Sequence, residues 1–217
     1  MTDHPPRLEP ILPSHYDAVA LDAMSTFPGA RDFLVNAWQS GRRDIAGLHL
    51  MGALLHHPEL CKAFLAFEKH VFSASSLPFR ERELAILRIS WLQRCEYEYA
   101  QHLPQGRKAG LSEIELQRIP SGSAADGWSA QDADLLRGVE ELHRDARLAD
   151  DTWSRLSRCF DTRQMMDFVL LVGCFGSLCA FANSVNVQLE EGIAPLDAVS
   201  KVRLGLWPVP PPESPPP

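Results

Sequence analysis

Cys95, Glu98 and His102 fall within the short run CEYEYAQH, three and four residues apart. On a helix such positions share a face, so a thiol, a carboxylate and an imidazole form one polar stripe. That set can move protons, attack an electrophile or contribute ligands to a metal. A metal site would need further ligands from elsewhere in the chain, and the reading here is without metal or organic cofactor. Glu98 and His102 at i, i+4 form an acid–base pair, because a carboxylate beside an imidazole raises its pKa and orients its tautomer. Upstream stands the cluster Arg80-Glu81-Arg82-Glu83. Glu83 is a candidate third proton carrier, and Arg80 and Arg82 have the fork geometry to bind a substrate carboxylate. Trp91 and Tyr97 lie beside the stripe and suggest a binding surface for an aromatic or lactone-like ligand. Cys95 is a site residue whose role the spacing leaves open.

The elements that must position these groups are helices. The ladder Leu84, Ile86, Leu87, Ile89, Trp91, Leu92 leads into the stripe, with Ser75 or Ser76 as a candidate cap near Pro78. A break near Gln93-Arg94 would set Cys95 at a fresh helix N-terminus, where the dipole lowers a thiol's pKa. Gly110 suits the position after a helix end, and Ser112 with Glu115 forms a capping box for a short helix over Glu113 to Arg118. Further helices are expected over Asp44 to Leu55, from Pro58 to about Phe72, over Gln131 to Leu148 behind Ser129, and over Asp150 to Phe160. A long one follows Asp161 or Thr162 and is closed by Gly192. His56-His57 point to different helix faces and read as structural rather than metal-binding. No window alternates with period two between turns, so the fold class is all-α.

Composition narrows the function classes. The 217 residues carry a net charge of −7 and no long basic run, which excludes a broad nucleic-acid surface. Five cysteines without metal-finger spacing, mostly in apolar sequence, fit a cytoplasmic, reducing compartment. The N-terminus has no apolar run of signal type. The apolar window Phe168 to Ala182 is short for about 30 Å of hydrocarbon and reads as a buried helix, so no membrane partner is expected. Residues 1–40 are read as an N-terminal extension, 41–207 as one helical domain, and 208–217, PVPPPESPPP, as a polyproline tail. Aligning Arg82 with Arg163 sets the two long helical stretches in register, Cys95 on Gly176, Glu98 on Cys179 and His102 on Asn183. The first copy keeps ionisable groups and the second carries neutral counterparts.

The run LPFRERELAILRISWLQRCEYEYAQHLPQGRKAGLSEIEL resembles the carboxymuconolactone decarboxylase and alkylhydroperoxidase D-like family. The likeness rests on R-E-x-x-I-L-R, C-x-Y-E-x-x-x-H and A-G-L-S, with HHPEL and MMDFVLLVG on either side, over roughly Leu48 to Gly192. It implies an all-helical fold with a helix-pair repeat, assembled as a homotrimer or homohexamer, acting on a small molecule. It also implies a relay role for Glu83 and His102 and a place in a redox pair for Cys95. The peroxidase branch carries C-x-x-C, whereas Glu98 occupies the second cysteine's place here, so no disulfide can form between positions 95 and 98. The leading expectation is therefore a decarboxylase-like enzyme using Glu83, Glu98 and His102 for proton transfer on a small carboxylated or lactone-like substrate. Alternatives are a one-cysteine alkyl hydroperoxidase or antioxidant protein acting through Cys95, a variant of it with Cys179 as a displaced partner thiol, and a catalytically silent helical scaffold or ligand binder.

Overall fold

The computed structural model describes residues 5–197, so the proline-rich tail lies outside the described residues. Ten α-helices and no strand occur among them: α1 Ala18–Ala23, α2 Pro28–Gln39, α3 Leu48–Leu54, α4 Pro58–Lys69, α5 Phe79–Leu92, α6 Glu96–Lys108, α7 Glu113–Arg118, α8 Ala130–Asp145, α9 Asp150–Leu156 and α10 Thr162–Val185. The all-α expectation holds for a physical reason. Apolar residues recur at helical intervals, and caps close the ends: Ser112 with Glu115 forms the expected capping box, and of Asp161 and Thr162 it is Asp161 that caps, in a further box with Gln164.

α5 is the central element. Its nine consecutive residues Glu83–Trp91 are all buried, which requires neighbours on every side. α6, α8 and α10 supply them. Arg88 is buried with this helix and is satisfied by Glu140 and by the carbonyls of Ile119 and Pro120 at 2.8 and 3.1 Å, fastening the turn after α7 to the core. A second apolar cluster, around Met24, Leu34, Ile45, Leu48 and Leu65, joins α1 to α4. The stretch read as an extension thus contains two packed helices.

Several boundaries differ from expectation. α3 begins at Leu48 because Gly47 adopts φ 79°, a left-handed turn that ends the preceding loop. α4 ends at Lys69 and passes into a π-turn, His70–Ala74. Pro78, without a side-chain bond, stands at the N-cap of α5; Ser76 instead bonds Asp167 through its N–H and hydroxyl at 2.6 and 2.7 Å. α10 stops at Asn186 (φ 56°) rather than at Gly192. At 24 residues α10 is also long and apolar enough to span a bilayer, contrary to the length argument from its shorter apolar window. Phe168, Leu171, Phe175 and Cys179 on it are nevertheless core residues. Where α10 runs unbroken, its partner stretch in the internal echo is split into α5 and α6.

Gly52 on α3 receives the N-terminal strap: Ile11 N–H donates to its carbonyl at 3.1 Å. A Cβ there would lie 2.6 Å from the Ile11 carbonyl oxygen and 2.8 Å from Pro10 Cβ. Gly52→Val is therefore expected to cost about 1–3 kcal/mol in chemical denaturation, through displacement of this strap.

Candidate active site

The break between α5 and α6 decides the placement of the stripe. Gln93 caps α5, Arg94 takes φ 54°, and two bonds close a Schellman motif: Arg94 N–H to Trp91 O at 3.0 Å and Cys95 N–H to Ser90 O at 2.9 Å. Cys95 becomes the N-cap of α6; its sulfur makes no cap hydrogen bond, but the nearby Tyr97 and Glu98 amides lower its pKa. From that start α6 places Glu98 and His102 one turn apart against α5. Gly106 allows α6 to sit close on Leu87, where a Cβ would approach to 2.9 Å.

His102 is held from both sides by carboxylates. Its Nδ1–H donates to Glu83 Oε2 at 2.7 Å, and its Nε2 faces Glu98 Oε2 at 3.7 Å, a charge contact too long for a hydrogen bond. The Phe175 ring meets the imidazole edge-on at 5.1 Å. Glu83 is 1% exposed, Glu98 4% and His102 7%, so these three ionisable groups share a desolvated site. Glu83 Oε1 and Glu98 Oε1 are buried with no hydrogen-bond partner. Burial pushes the imidazole down, but the charge and hydrogen bond of Glu83, with Glu98 behind them, outweigh it and raise His102 above its usual value. Burial pushes Glu98 up to about 8, against the pull of His102.

These groups open on a cavity of about 380 Å³, within the range of small-molecule sites. Phe27, Phe33, Phe72 and Phe175 make its aromatic wall, with Leu34, Leu50, Met51, Leu54 and Leu178. The polar lining is Glu98, His102, Gln101, Gln105, Ser73 and Glu68. Glu68, from the last turn of α4, was not among the residues singled out from the sequence. Burial raises its carboxyl to about 7, opposed by His102. Its signal was available: Cys61, Leu65 and Glu68 continue the core-facing stripe of α4, so a carboxylate sits where an apolar residue belongs. α2 supplies Phe33 and Leu34, so the cavity is closed by the N-terminal helices.

Other predicted site residues go elsewhere. Arg80 is bound by Asp132 at 2.6 Å and by Glu115, outside the cavity, which corrects its assignment to a substrate carboxylate. Those two carboxylates already occupy its fork. Arg82 lies beside Glu83 at 4.0 Å and over the Phe79 ring at 5.0 Å, and it does not line the cavity either. Trp91 packs edge-on against Tyr99 at 5.4 Å, in the core rather than at a ligand. Tyr97 lines the cavity with its ring, but its hydroxyl donates to buried Glu190 at 2.6 Å and accepts from Leu50 N–H. Cys95 is fully buried and does not line the cavity. The neighbouring Cys179 thiol lowers its pKa, aided by the two backbone amides and opposed by burial. His57 caps α4 by accepting from Leu60 N–H at 3.3 Å, and His56 bonds the Glu9 carbonyl at 2.8 Å, so the pair is structural.

Comparison with known proteins follows the same region. Residues 58–141, α4 to most of α8, match the model of the carboxymuconolactone decarboxylase family. The Bacillus subtilis (strain 168) protein YdfG, itself uncharacterized, is 26% identical over 122 residues, 55% of this chain and 82% of its own length. An alkylhydroperoxidase AhpD core structure from Ralstonia eutropha JMP134, an uncharacterized peroxidase-related protein, superposes with TM-score 0.69 at 15% identity, covering 89% of this chain and all of that one. A peroxidase-related protein from Silicibacter sp. TM1040 superposes with TM-score 0.60 at 17% identity, over 82% of this chain and 88% of its own. At such identities the structural likeness establishes the fold. The segment that matches the carboxymuconolactone decarboxylase family model carries Glu83, Glu98 and His102, and the chain has the alkylhydroperoxidase D-like helical fold.

Proposed function

We propose that the cavity is an acid–base active site for proton transfer on a small, largely apolar carbonyl compound of lactone or ketone type. The observation that carries this is His102, held by Glu83 at 2.7 Å and facing Glu98, at the end of an aromatic-walled cavity. Near neutral pH, Glu98 with a pKa of about 8 is mostly a carboxylic acid, and His102 holds a proton against Glu83. Both are donors suited to a carbonyl oxygen on which negative charge develops. Glu68, at about 7, is partly ionised and is the acceptor for a proton on the neighbouring carbon.

The substrate class is narrower than the sequence suggested. Among the described residues no arginine or lysine lines the cavity, so a permanently charged substrate carboxylate would find no guanidinium or ammonium there, and His102 is already flanked by Glu83 and Glu98. A neutral lactone or ketone meets no such penalty. An alkyl hydroperoxide bound in the cavity would face Glu98 and His102 rather than the Cys95 thiol, which weighs against one-cysteine turnover at this site.

The test is exchange of hydrogen for deuterium next to the carbonyl, followed by NMR across a panel of lactones and cyclic ketones. Wild-type protein is expected to accelerate exchange for at least one compound, and the folded Glu68→Gln variant to lose it. The bell-shaped pH profile of kcat/KM should have limbs near about 7 and about 8, with the acid limb missing from any residual activity of Glu68→Gln. Exchange that persists unchanged in Glu68→Gln, or a profile flat across that interval, would remove Glu68 from the mechanism.

A further inference from the structure

Gln101 is a polar residue of the cavity wall to which the proton-transfer reading gives no task. It stands three residues after Glu98 and four before Gln105 on α6, so the three share a face of the helix, and all of them line the cavity. Its carboxamide is used at one end only. Nε2 donates to Glu190 Oε2, whereas Oε1 is buried with no hydrogen-bond partner. A buried carbonyl oxygen in that state carries a desolvation cost that a bound donor relieves.

The direction of this amide is set from outside the cavity. The oxygen and nitrogen of a glutamine exchange places by a half-turn about the last bond, so the neighbouring group decides which end goes where. Here that neighbour is Glu190, 2% exposed, in the segment that follows α10. Its Oε1 accepts the Tyr97 hydroxyl at 2.6 Å and the His49 N–H at 2.9 Å. Those bonds, to α6 and α3, hold the carboxylate in place, and a carboxylate accepts but does not donate. Gln101 therefore turns its nitrogen to Glu190 and keeps its oxygen for the cavity.

We propose that Gln101 is a specificity-determining residue that accepts a hydrogen bond from an O–H or N–H of the substrate, with Glu190 as the positioning residue that fixes its polarity. Resting on the proton-transfer reading of the cavity, this narrows the substrate to a carbonyl compound with a second group that carries a donor, a hydroxyl or a ring N–H. Glu98 and Gln101 stand one turn apart, roughly 5–6 Å between Cβ atoms, so the donor lies across a ring from the carbonyl rather than beside it. A ligand with only an ether oxygen there sets acceptor against acceptor and leaves both unsatisfied.

The experiment is calorimetric binding of two matched pairs in mildly acidic buffer, where the phenol keeps its proton. The pairs are 4-hydroxyacetophenone with 4-methoxyacetophenone and 4-hydroxycyclohexanone with 4-methoxycyclohexanone. Wild-type protein is expected to bind at least one hydroxy compound about tenfold more tightly than its methoxy partner. Gln101→Met keeps the length of the side chain without the oxygen and should remove the preference. Glu190→Gln goes further. Its Oε1 retains the Tyr97 and His49 bonds, and its new amide nitrogen faces Gln101 as a donor. The Gln101 amide then turns over and offers Nε2 to the cavity, so the preference should reverse in favour of the methoxy compound. Loss of packing alone does not produce a reversal. A hydroxy preference that survives either substitution, or no binding of any of the four compounds by wild type, would overturn the proposal. If circular dichroism shows Glu190→Gln unfolded, Gln101→Met decides. Because binding is read without turnover, wild-type protein that prefers the hydroxy compounds but exchanges no deuterium refutes the proton-transfer reading alone. Intact exchange with a preference that survives Gln101→Met refutes the donor preference alone.

Discussion

His102→Ala is expected to destabilise the folded chain by about 3–5 kcal/mol at neutral pH, because it leaves a buried carboxylate without its partner. Glu83 is 1% exposed, its Oε1 already lacks a donor, and the nearest remaining cation is Arg82 at 4.0 Å. Pairing the change with Glu83→Gln supplies the decisive control. The double variant should be more stable than His102→Ala alone, a non-additivity that urea denaturation would register. Equal instability of single and double variants would mean that the imidazole contributes packing rather than charge. His102→Gln keeps a hydrogen-bond donor and should fold, while turnover drops by about 10²–10⁴, the usual worth of one acid–base group. Full activity in that variant would refute the proton-transfer assignment.

Glu98→Gln should act in the opposite direction on stability. The folded pKa of Glu98 is about 8, above its ordinary value of 4.5, so between those limits the folded chain holds a proton that the unfolded chain has released. Wild-type stability therefore falls as pH rises from roughly 4.5 to 8 and is level above that. At about 1.36 kcal/mol for each pH unit, this interval sets a ceiling of roughly 5 kcal/mol. Glutamine matches the protonated acid in shape and cannot ionise. The variant should equal wild type near pH 4 and exceed it by about 2–4 kcal/mol at pH 9, less whatever His102 loses with its second carboxylate. Denaturation midpoints across that range check the slope. The same substitution removes a proton donor, so activity should fall as stability rises, the trade expected where a site is held in an unfavourable environment. A variant as sensitive to pH as wild type would show that Glu98 is not the desolvated group.

The sequence alone determined what depends on local spacing. Helical periodicity, the Ser112–Glu115 capping box, a cap at Asp161 or Thr162, and the i, i+4 relation of Glu98 to His102 are set by residues within one or two turns of each other, so they were legible without a fold. Family resemblance extended this to Glu83, whose separation from His102 no local rule could bridge. Tertiary structure alone decided which side chains from separate helices converge. Arg80 and Trp91 stand near Cys95–His102 in the chain but turn to Asp132, Glu115 and Tyr99, because a helix sends neighbouring residues to different faces. Glu68 enters the cavity from α4, and Phe33 reaches it from α2, a stretch the sequence marked only as an extension. The meeting of Cys95 with Cys179 depends on the turn at Arg94 and on how α10 packs against α5, a long-range contact whose geometry periodicity does not encode.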